Sequence, residues 1–187
     1  MKPAGLTLVE LLVTLVIVAI MLRLAAPAFR DLTAASRSSA ALNHLIGAVA
    51  LARSSAVTHY DTVTLCPGAE RACLGRDQWH RGALVFLDRD GDGRLDGEDA
   101  VLRRLPSLDA GGRIYWRSFR NRSYLQFLPK GYTPWQNGHF LYCAASGNPK
   151  EARMLILNVQ GRLRPARDSN GDGVVEDASG KPVSCPT

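Results

Sequence analysis

The sequence has 187 residues, of which 46% are hydrophobic and 7% aromatic, and its formal net charge is +6 at pH 7. That length suits one modest domain with an additional segment. Its four histidines lie in no His-Glu-x-x-His metal motif, and the sequence contains no nucleophile motif or phosphate-binding glycine loop. We therefore expect a protein that is not an enzyme.

The positive charge is unevenly distributed along the chain. Residues 88–99 contain six acids and two arginines, which leaves the rest of the chain at +10. Most of this excess is arginine in the second half of the sequence. A basic surface of this kind predicts either a solvated face or a polyanionic partner.

An apolar stretch occupies residues 6–28. As a helix rising 1.5 Å per residue, it is long enough to cross a hydrocarbon core of about 30 Å. Lys2 precedes it, so the positive-inside rule predicts a cytoplasmic N-terminus and a remainder that faces the periplasm or the outside. Glu10 is an ionisable residue beside a membrane segment and therefore a functional candidate, whereas Arg23 is expected to extend to the interface.

The helical pattern continues beyond the apolar stretch. Pro27 is expected to kink or interrupt the helix. Residues 29–59 are predicted to form its amphipathic half, ending near residues 58–60 and packing on a sheet. The apolar stripe that indicates this comprises Leu42, Leu45, Ile46 and Val49.

Short apolar segments separated by Gly and Pro follow in residues 60–187. They predict strands at 62–66, 83–87, 101–105, 114–116, 124–127, 140–143, 154–159 and 161–165. One long helix followed by many short strands indicates an α+β fold, with the helix packed on a mostly antiparallel sheet.

The four cysteines are typical of an oxidising compartment. They allow three pairings, of which we favour Cys66 with Cys73, a short loop closed across Pro67-Gly68. Cys143 would then pair with Cys185 and attach the C-terminal segment to the domain. A zinc site is the alternative, but these spacings match no common zinc motif.

The N-terminal sequence G-L-T-L-V-E-L-L-V-T-L places a glycine ahead of the apolar stretch, whereas a secretory signal peptide is cleaved behind it. This arrangement resembles the type IV prepilin signature. The resemblance implies a leader at residues 1–5 that a prepilin peptidase removes after Gly5, and methylation of the new N-terminus at Leu6. It also implies that Glu10 pairs with the N-terminus of a neighbouring subunit. Leu6 and Arg23 depart from the pattern, which usually has Phe and an uncharged residue there.

Further motifs resemble the GspH/FimT family of minor pilins and pseudopilins. In chain order they are A-R-S (52–54), V-T-L-C-P (63–67), W-x-x-G-A-L-V-F-x-D (79–88), L-Q-F-L-P-K-G (125–131), F-L-Y-C (140–143) and L-N-V-Q-G-R-L-R (157–164). The resemblance implies a long pilin helix, with a transmembrane half and an amphipathic half, on a β head at residues 60–187. It also implies assembly with other minor and major pilins, first in the inner membrane with a periplasmic head and then in the pilus at the cell surface.

The motif Gly161-Arg-Leu-Arg164 carries paired arginines. If 156–164 is one strand, Arg162 and Arg164 project from the same face, where guanidinium groups suit phosphate oxygens of any DNA sequence. In FimT-like members a G-R-x-R motif is associated with DNA binding in natural transformation, so the resemblance implies contacts with double-stranded DNA here. Additional basic candidates are Arg167, Lys150 and Arg153. The alternative is a solvated edge strand whose arginines prevent edge pairing.

Residues 88–99 place carboxylates in the order of an EF-hand loop, which suggests Ca²⁺ as the single cofactor to consider. The candidate ligands are Asp88, Asp90, Asp92, Asp96 and Asp99. Against this, position 12 is Asp instead of Glu, and strands flank the loop. The alternative is an Asp/Gly-rich turn. The segment beginning Asp168-Ser-Asn170-Gly-Asp172 is a weaker version of the same pattern.

These observations favour a FimT-like minor type IV pilin that binds DNA for uptake. One alternative is a structural or priming subunit of the pilus tip. A second is a GspH-like pseudopilin of a type II secretion system. A third is a calcium-stabilised adhesin, which only the acidic loop supports.

Overall fold

A computed structural model describes residue 5 and residues 7–69, 72–108 and 111–186. The chain divides into two compact units, residues 1–37 and 38–187. A long helix, α1, begins at Leu8 and ends at His59. Thr7 caps it, since the Glu10 N–H donates to the Thr7 hydroxyl oxygen at 3.3 Å.

Helix α1 is continuous through position 27. The interruption considered at Pro27 is therefore absent from the described backbone. A proline removes one backbone hydrogen bond, and the intact turns on either side maintain a helix of 52 residues.

In the residues that the structure describes, nine strands follow, and all their pairings are antiparallel. They are β1 (Val63–Ala69), β2 (Ala72–Cys73), β3 (Ala83–Leu87), β4 (Ala100–Leu105), β5 (Arg113–Ser118), β6 (Leu125–Phe127), β7 (Gly138–Cys143), β8 (Arg153–Leu157) and β9 (Leu163–Pro165). One sheet has the order β2-β1-β3-β4, with β6 also paired to β1, and the other has the order β5-β7-β8-β9. Two 3₁₀ helices, Arg76–Arg81 and Pro149–Glu151, lie between strands. The predicted α+β fold is confirmed.

Strand β2 was not predicted, and every predicted strand except β3 differs from the structure by one to three residues at an end. Two of these differences have a visible cause. Strand β1 continues past Pro67, which was expected to close it, because the Gly68 N–H donates to the Gly82 carbonyl oxygen at 3.0 Å and extends the ladder. Strand β8 ends at Leu157, two residues early, because the chain turns at Asn158.

The main core lies between the 38–59 part of α1 and the inner faces of both sheets. Leu42, Leu45 and Val49 of the predicted stripe are buried there, whereas Ile46 remains 38% exposed. The indole of Trp116 stacks on Phe140 with ring centroids 4.2 Å apart. Because the core uses one stripe of α1, the opposite side of this half-helix stays exposed.

A second apolar cluster lies on the outer face of the β5-β7-β8-β9 sheet. Its buried members are Leu141, Cys143, Ala152, Met154, Val175 and Val183. The last two belong to the C-terminal segment, residues 167–186, which we call the tail. The sequence did not indicate this layer, because the tail has no strand-like alternation. The tail covers a face that would otherwise be apolar and exposed.

Two disulfides form, Cys66–Cys73 and Cys143–Cys185. This is the pairing that we favoured, and it leaves no free cysteine. The second bond closes 42 residues of chain and attaches the tail to β7. The zinc alternative is wrong, since no thiolate is available as a ligand.

Candidate functional sites

The N-terminal part of α1 carries the predicted processing and assembly residues. Leu8–Ala26 is long and apolar enough to cross a membrane, and none of it is buried. A second stretch, Leu32–His59, passes the same test but is partly buried in the head core. Gly5 and Glu10 are exposed, whereas Leu6 lies outside the described residues.

The G-R-L-R motif begins in a tight turn between β8 and β9. Gly161 has φ +75°, and a Cβ there would lie 2.6 Å from the Phe127 ring, so only glycine fits. Asn158 closes the turn, because its side-chain oxygen accepts the Arg162 N–H at 2.9 Å. Residues 156–164 are therefore not one strand, and the premise that placed Arg162 and Arg164 on one strand face is wrong.

Strand β9 forms an edge of the second sheet. Arg164 pairs with Ile156 of β8, and the same register continues to His139 on β7 and Arg117 on β5. Arg164 therefore shares the outer face with this row, while Arg162 precedes β9 in the turn. Both arginine side chains are exposed.

The three additional basic candidates lie next to this edge. The Ala166 N–H donates to the Met154 carbonyl oxygen at 2.8 Å, which continues the β8–β9 register and sets Arg167 opposite Arg153. The Arg153 guanidinium donates to the carbonyl oxygens of Lys150 and Ala152, both at 2.8 Å. We call Lys150, Arg153, Arg162, Arg164 and Arg167 the basic edge. The structure brings all five to β8, β9 and the residues adjoining them.

Among the described residues, no acid forms a salt bridge with the basic edge. In the described part of the chain, the single salt bridge joins Arg89 to Glu98 at 3.9 Å, on a different loop. The charges of the basic edge are consequently available to an external anion.

A groove of ≈ 530 Å³ lies beside the same turn, and sequence reasoning missed it. Trp135 and Phe119, which are 64% and 77% exposed, line it together with Asn158 and Gln160. Trp116, which lies between Arg113 and Arg117 in the sequence, is fully buried instead. The signal was available in Pro134-Trp135, a tryptophan in a Gly/Pro-rich segment with no strand alternation.

A second cleft, of ≈ 630 Å³, lies between α1 and the β8–β9 turn. Its walls include Ile46, Val57 and Arg162. Arg53 lies in the same wall and donates from Nε to the Gly131 carbonyl oxygen at 2.9 Å. This bond ties the helix to the loop that supports the turn.

The acidic loop joins β3 to β4, and Asp88 at its start is fully buried. One Asp88 oxygen, Oδ2, accepts hydrogen bonds from the Thr64 hydroxyl, from Gln126 Nε2 at 2.8 Å and from the Gly93 N–H at 3.1 Å. Burial raises the pKa of Asp88, although the bonds from Thr64 and Gln126 oppose that rise.

The structure brings three of the five predicted calcium ligands together. Oxygens of Asp88, Asp90 and Asp92 lie within 4.8 Å of one another. Asp96 and Asp99 are not in this group. Asp99 instead accepts the N–H groups of Arg89 and Asp96, at 3.0 and 3.2 Å, and closes the base of the loop.

His139 is a half-buried titratable group on the outer face of the second sheet. Burial lowers its pKa, Arg117 acts in the same direction and Asp177 opposes both. A histidine whose folded-state pKa is depressed stabilises the fold above its unfolded pKa of about 6.5, and that stability is lost as pH falls.

We expect His139→Gln to reduce the loss of thermal stability between pH 7.5 and pH 5.0, because it removes a group that is held neutral in the folded state and takes up a proton on unfolding. Unfolding temperatures at both pH values measure this, with the exposed His44→Gln as the matched control. An equal loss in the wild type and His139→Gln would contradict the assignment.

Comparison with known proteins yields two family matches. A model described as type II transport protein GspH matches residues 41–161, and the prokaryotic N-terminal methylation motif matches residues 1–22. No curated protein sequence matches the chain significantly.

Among solved structures, the type IV minor pilin FimU of Pseudomonas aeruginosa (strain PAO1) is similar in two crystal forms. The first has a TM-score of 0.55 and 20% identity, and the match covers 79% of this chain and 94% of that chain. The second has a TM-score of 0.55 and 19% identity, with 79% and 99% covered. At these identities the likeness shows the fold alone.

Proposed function

Because the chain belongs to the GspH family of pilins and pseudopilins, we propose that it is a minor type IV pilin whose head binds double-stranded DNA for natural transformation. The observation that carries the DNA proposal is the basic edge. Its five cationic side chains adjoin one sheet edge, and none is paired with an acid in the described residues. Phosphate contacts of this kind need no base reading, so the binding is independent of sequence.

The N-terminal signature supports the proposed route to the pilus. A prepilin peptidase removes residues 1–5, Leu6 becomes the methylated N-terminus, and residues 6–28 anchor the protein in the inner membrane with the head in the periplasm. Residues 29–59 continue the helix into the head at 60–187. Other minor and major pilins then contact the N-terminal helix in the fibre. The match of the methylation motif to residues 1–22 and the exposed apolar stretch of α1 support this route.

The wild-type protein is expected to bind duplex DNA with an affinity that falls steeply with salt. If three to five phosphates are neutralised, the slope of log K against log salt is about −2.7 to −4.5. Gel-shift titrations of the full chain in non-ionic detergent, at 50 to 200 mM salt, measure it. Absence of binding at 50 mM salt would overturn the DNA proposal and leave the family assignment intact.

The groove lined by Trp135 and Phe119 suggests a second kind of DNA contact, to unpaired bases. Exposed Trp135 and Phe119 can stack on unpaired bases beside the basic edge, which would favour single-stranded over duplex DNA. Titrations with both forms at equal phosphate concentration distinguish a phosphate-only contact from one that includes stacking.

A purely structural or priming pilin, or a pseudopilin of a type II secretion system, would share the fold and the anchor but not the DNA affinity. Genes adjacent to this one distinguish a pilus system from a secretion system directly.

A further inference from the structure

The tail contains a loop built like the acidic loop. In the acidic loop, the Asp92 N–H donates to Asp90 Oδ1 at 3.2 Å and the Arg94 N–H donates to Asp92 Oδ1 at 2.7 Å. The Gly93 N–H donates to Oδ2 of Asp88, the first residue of the loop, at 3.1 Å. Gly91 and Gly93, at the fourth and sixth positions, have φ values of +72° and +81°.

Residues 168–176 form the second loop, which we call the tail loop. Its first six residues repeat the arrangement of the acidic loop. The Asp172 N–H donates to Asn170 Oδ1 at 2.9 Å, the Val174 N–H to Asp172 Oδ1 at 2.7 Å, and the Gly173 N–H to Asp168 Oδ2 at 2.7 Å. The glycines at the fourth and sixth positions again have positive φ values, +80° and +89°. The two loops are 80 residues apart and lie on different sheets, so a similar local geometry forms twice.

Each loop also contains a buried carboxylate oxygen that accepts no hydrogen bond from the described residues. In the acidic loop it is Oδ1 of the fully buried Asp88. In the tail loop it is Oε1 of Glu176, a residue only 7% exposed, whose other oxygen accepts from the N–H and hydroxyl of Ser169 at 2.8 and 3.0 Å. A buried acceptor without a partner is costly, and a bound cation would satisfy it.

Asp88 and Glu176 belong to carboxylate clusters of suitable size for a metal ion. Asp168, Asp172 and Glu176 each place a carboxylate oxygen within 4.8 Å of the others, as Asp88, Asp90 and Asp92 do in the acidic loop. All the groups are hard oxygen donors, which excludes metals that prefer nitrogen or sulfur. Ca²⁺ accepts six to eight such ligands in flexible geometry, whereas Mg²⁺ requires a near-ideal octahedron.

We propose that the acidic loop and the tail loop each bind one Ca²⁺ ion. In the tail loop, the ligand Glu176 forms an antiparallel β-bridge with Pro182. Next to this bridge, the Val183 N–H donates to the Val175 carbonyl oxygen at 3.0 Å. The ion therefore joins the start of the tail to the part that covers the second sheet. In the acidic loop, Asp88 links the ion to β1 through Thr64 and to β6 through Gln126.

Calorimetric titration of the full chain in detergent with CaCl₂ tests the proposal. We expect two ions per chain, with dissociation constants of about 0.1–1 mM, as in extracellular calcium modules. At 10 mM Ca²⁺ each ion should raise the unfolding temperature by about 3–10 °C, and Mg²⁺ at the same concentration should do less.

The chain offers a matched pair of variants, because Asp92 and Asp172 occupy the same loop position and both are exposed. Asparagine retains the side-chain oxygen that closes each turn but removes the charge. Asp92→Asn and Asp172→Asn should each weaken one ion at least tenfold and leave the other unchanged, and the double variant should bind none. Both variants should keep the wild-type near-ultraviolet circular dichroism. Fewer than two ions in the wild type, or wild-type binding in either variant, would overturn the proposal.

Discussion

Replacing Arg162 and Arg164 together by glutamine is expected to weaken duplex DNA binding by about tenfold to a hundredfold at 50 mM salt, because charge-assisted hydrogen bonds to two phosphates are lost. The slope of log K against log salt should become about 2 units shallower, since each phosphate contact contributes about 0.9. Both side chains are exposed and neither supports the core, so the unfolding temperature should not change.

The second sheet provides the control for this experiment. Arg113→Gln with Arg117→Gln removes the same two charges from β5, the opposite edge strand. With strands about 4.8 Å apart, that edge lies about 14 Å from β9. If DNA contacts the basic edge, the control pair should cost much less affinity. Equal losses in both pairs would show that net charge, and not the basic edge, determines binding.

Replacing Glu10 by leucine is expected to abolish incorporation into pili while the protein still accumulates in the membrane. Glu10 is the single acid between residues 7 and 30. A carboxylate in hydrocarbon costs on the order of 3 kcal/mol, so it requires a cationic partner, which the free N-terminus of a neighbouring subunit would provide. Without the charge, nothing directs the new subunit to its axial register. Immunoblots of sheared pili and of membranes measure both fractions.

Two further variants separate the charge from other effects of the substitution. Glu10→Gln retains the length of the side chain and the helix cap but removes the charge, so it should behave like Glu10→Leu. Thr7→Val removes the hydroxyl that accepts the Glu10 N–H and keeps the carboxylate, so it should enter pili normally. Normal incorporation of Glu10→Gln would exclude the register role.

The sequence predicted the elements of this protein well where local patterns determine them. The stripe at Leu42, Leu45 and Val49 predicted the packed face of α1, and the helix ends at His59, within the range expected from the sequence. Strand β3 was predicted with its observed ends. Both favoured disulfides also form. This pairing could be chosen among the three possible ones because Cys66 and Cys73 are close together in the sequence.

The predictions were weaker where side-chain direction mattered. Arg162 and Arg164 were placed on one strand by counting, yet the Asn158–Arg162 turn separates them, because Gly161 and the Asn158 side chain close a tight loop there. The burial of Trp116 was not predicted either, because a polar and an apolar residue flank it, whereas the Gly/Pro-rich surroundings of Trp135 were the one local sign of its exposure.

The amino-acid sequence alone was sufficient for the long apolar helix, the N-terminal methylation motif, the α+β class and the family resemblance, because helical period and residue spacing are properties of residues close together in the chain. Only the tertiary structure placed the tail over the outer face of the second sheet and gathered the basic edge beside it. Only the structure, too, left one oxygen each of Asp88 and Glu176 buried without a partner. Burial and unsatisfied acceptors arise from contacts between residues far apart in the chain, and no local pattern encodes them.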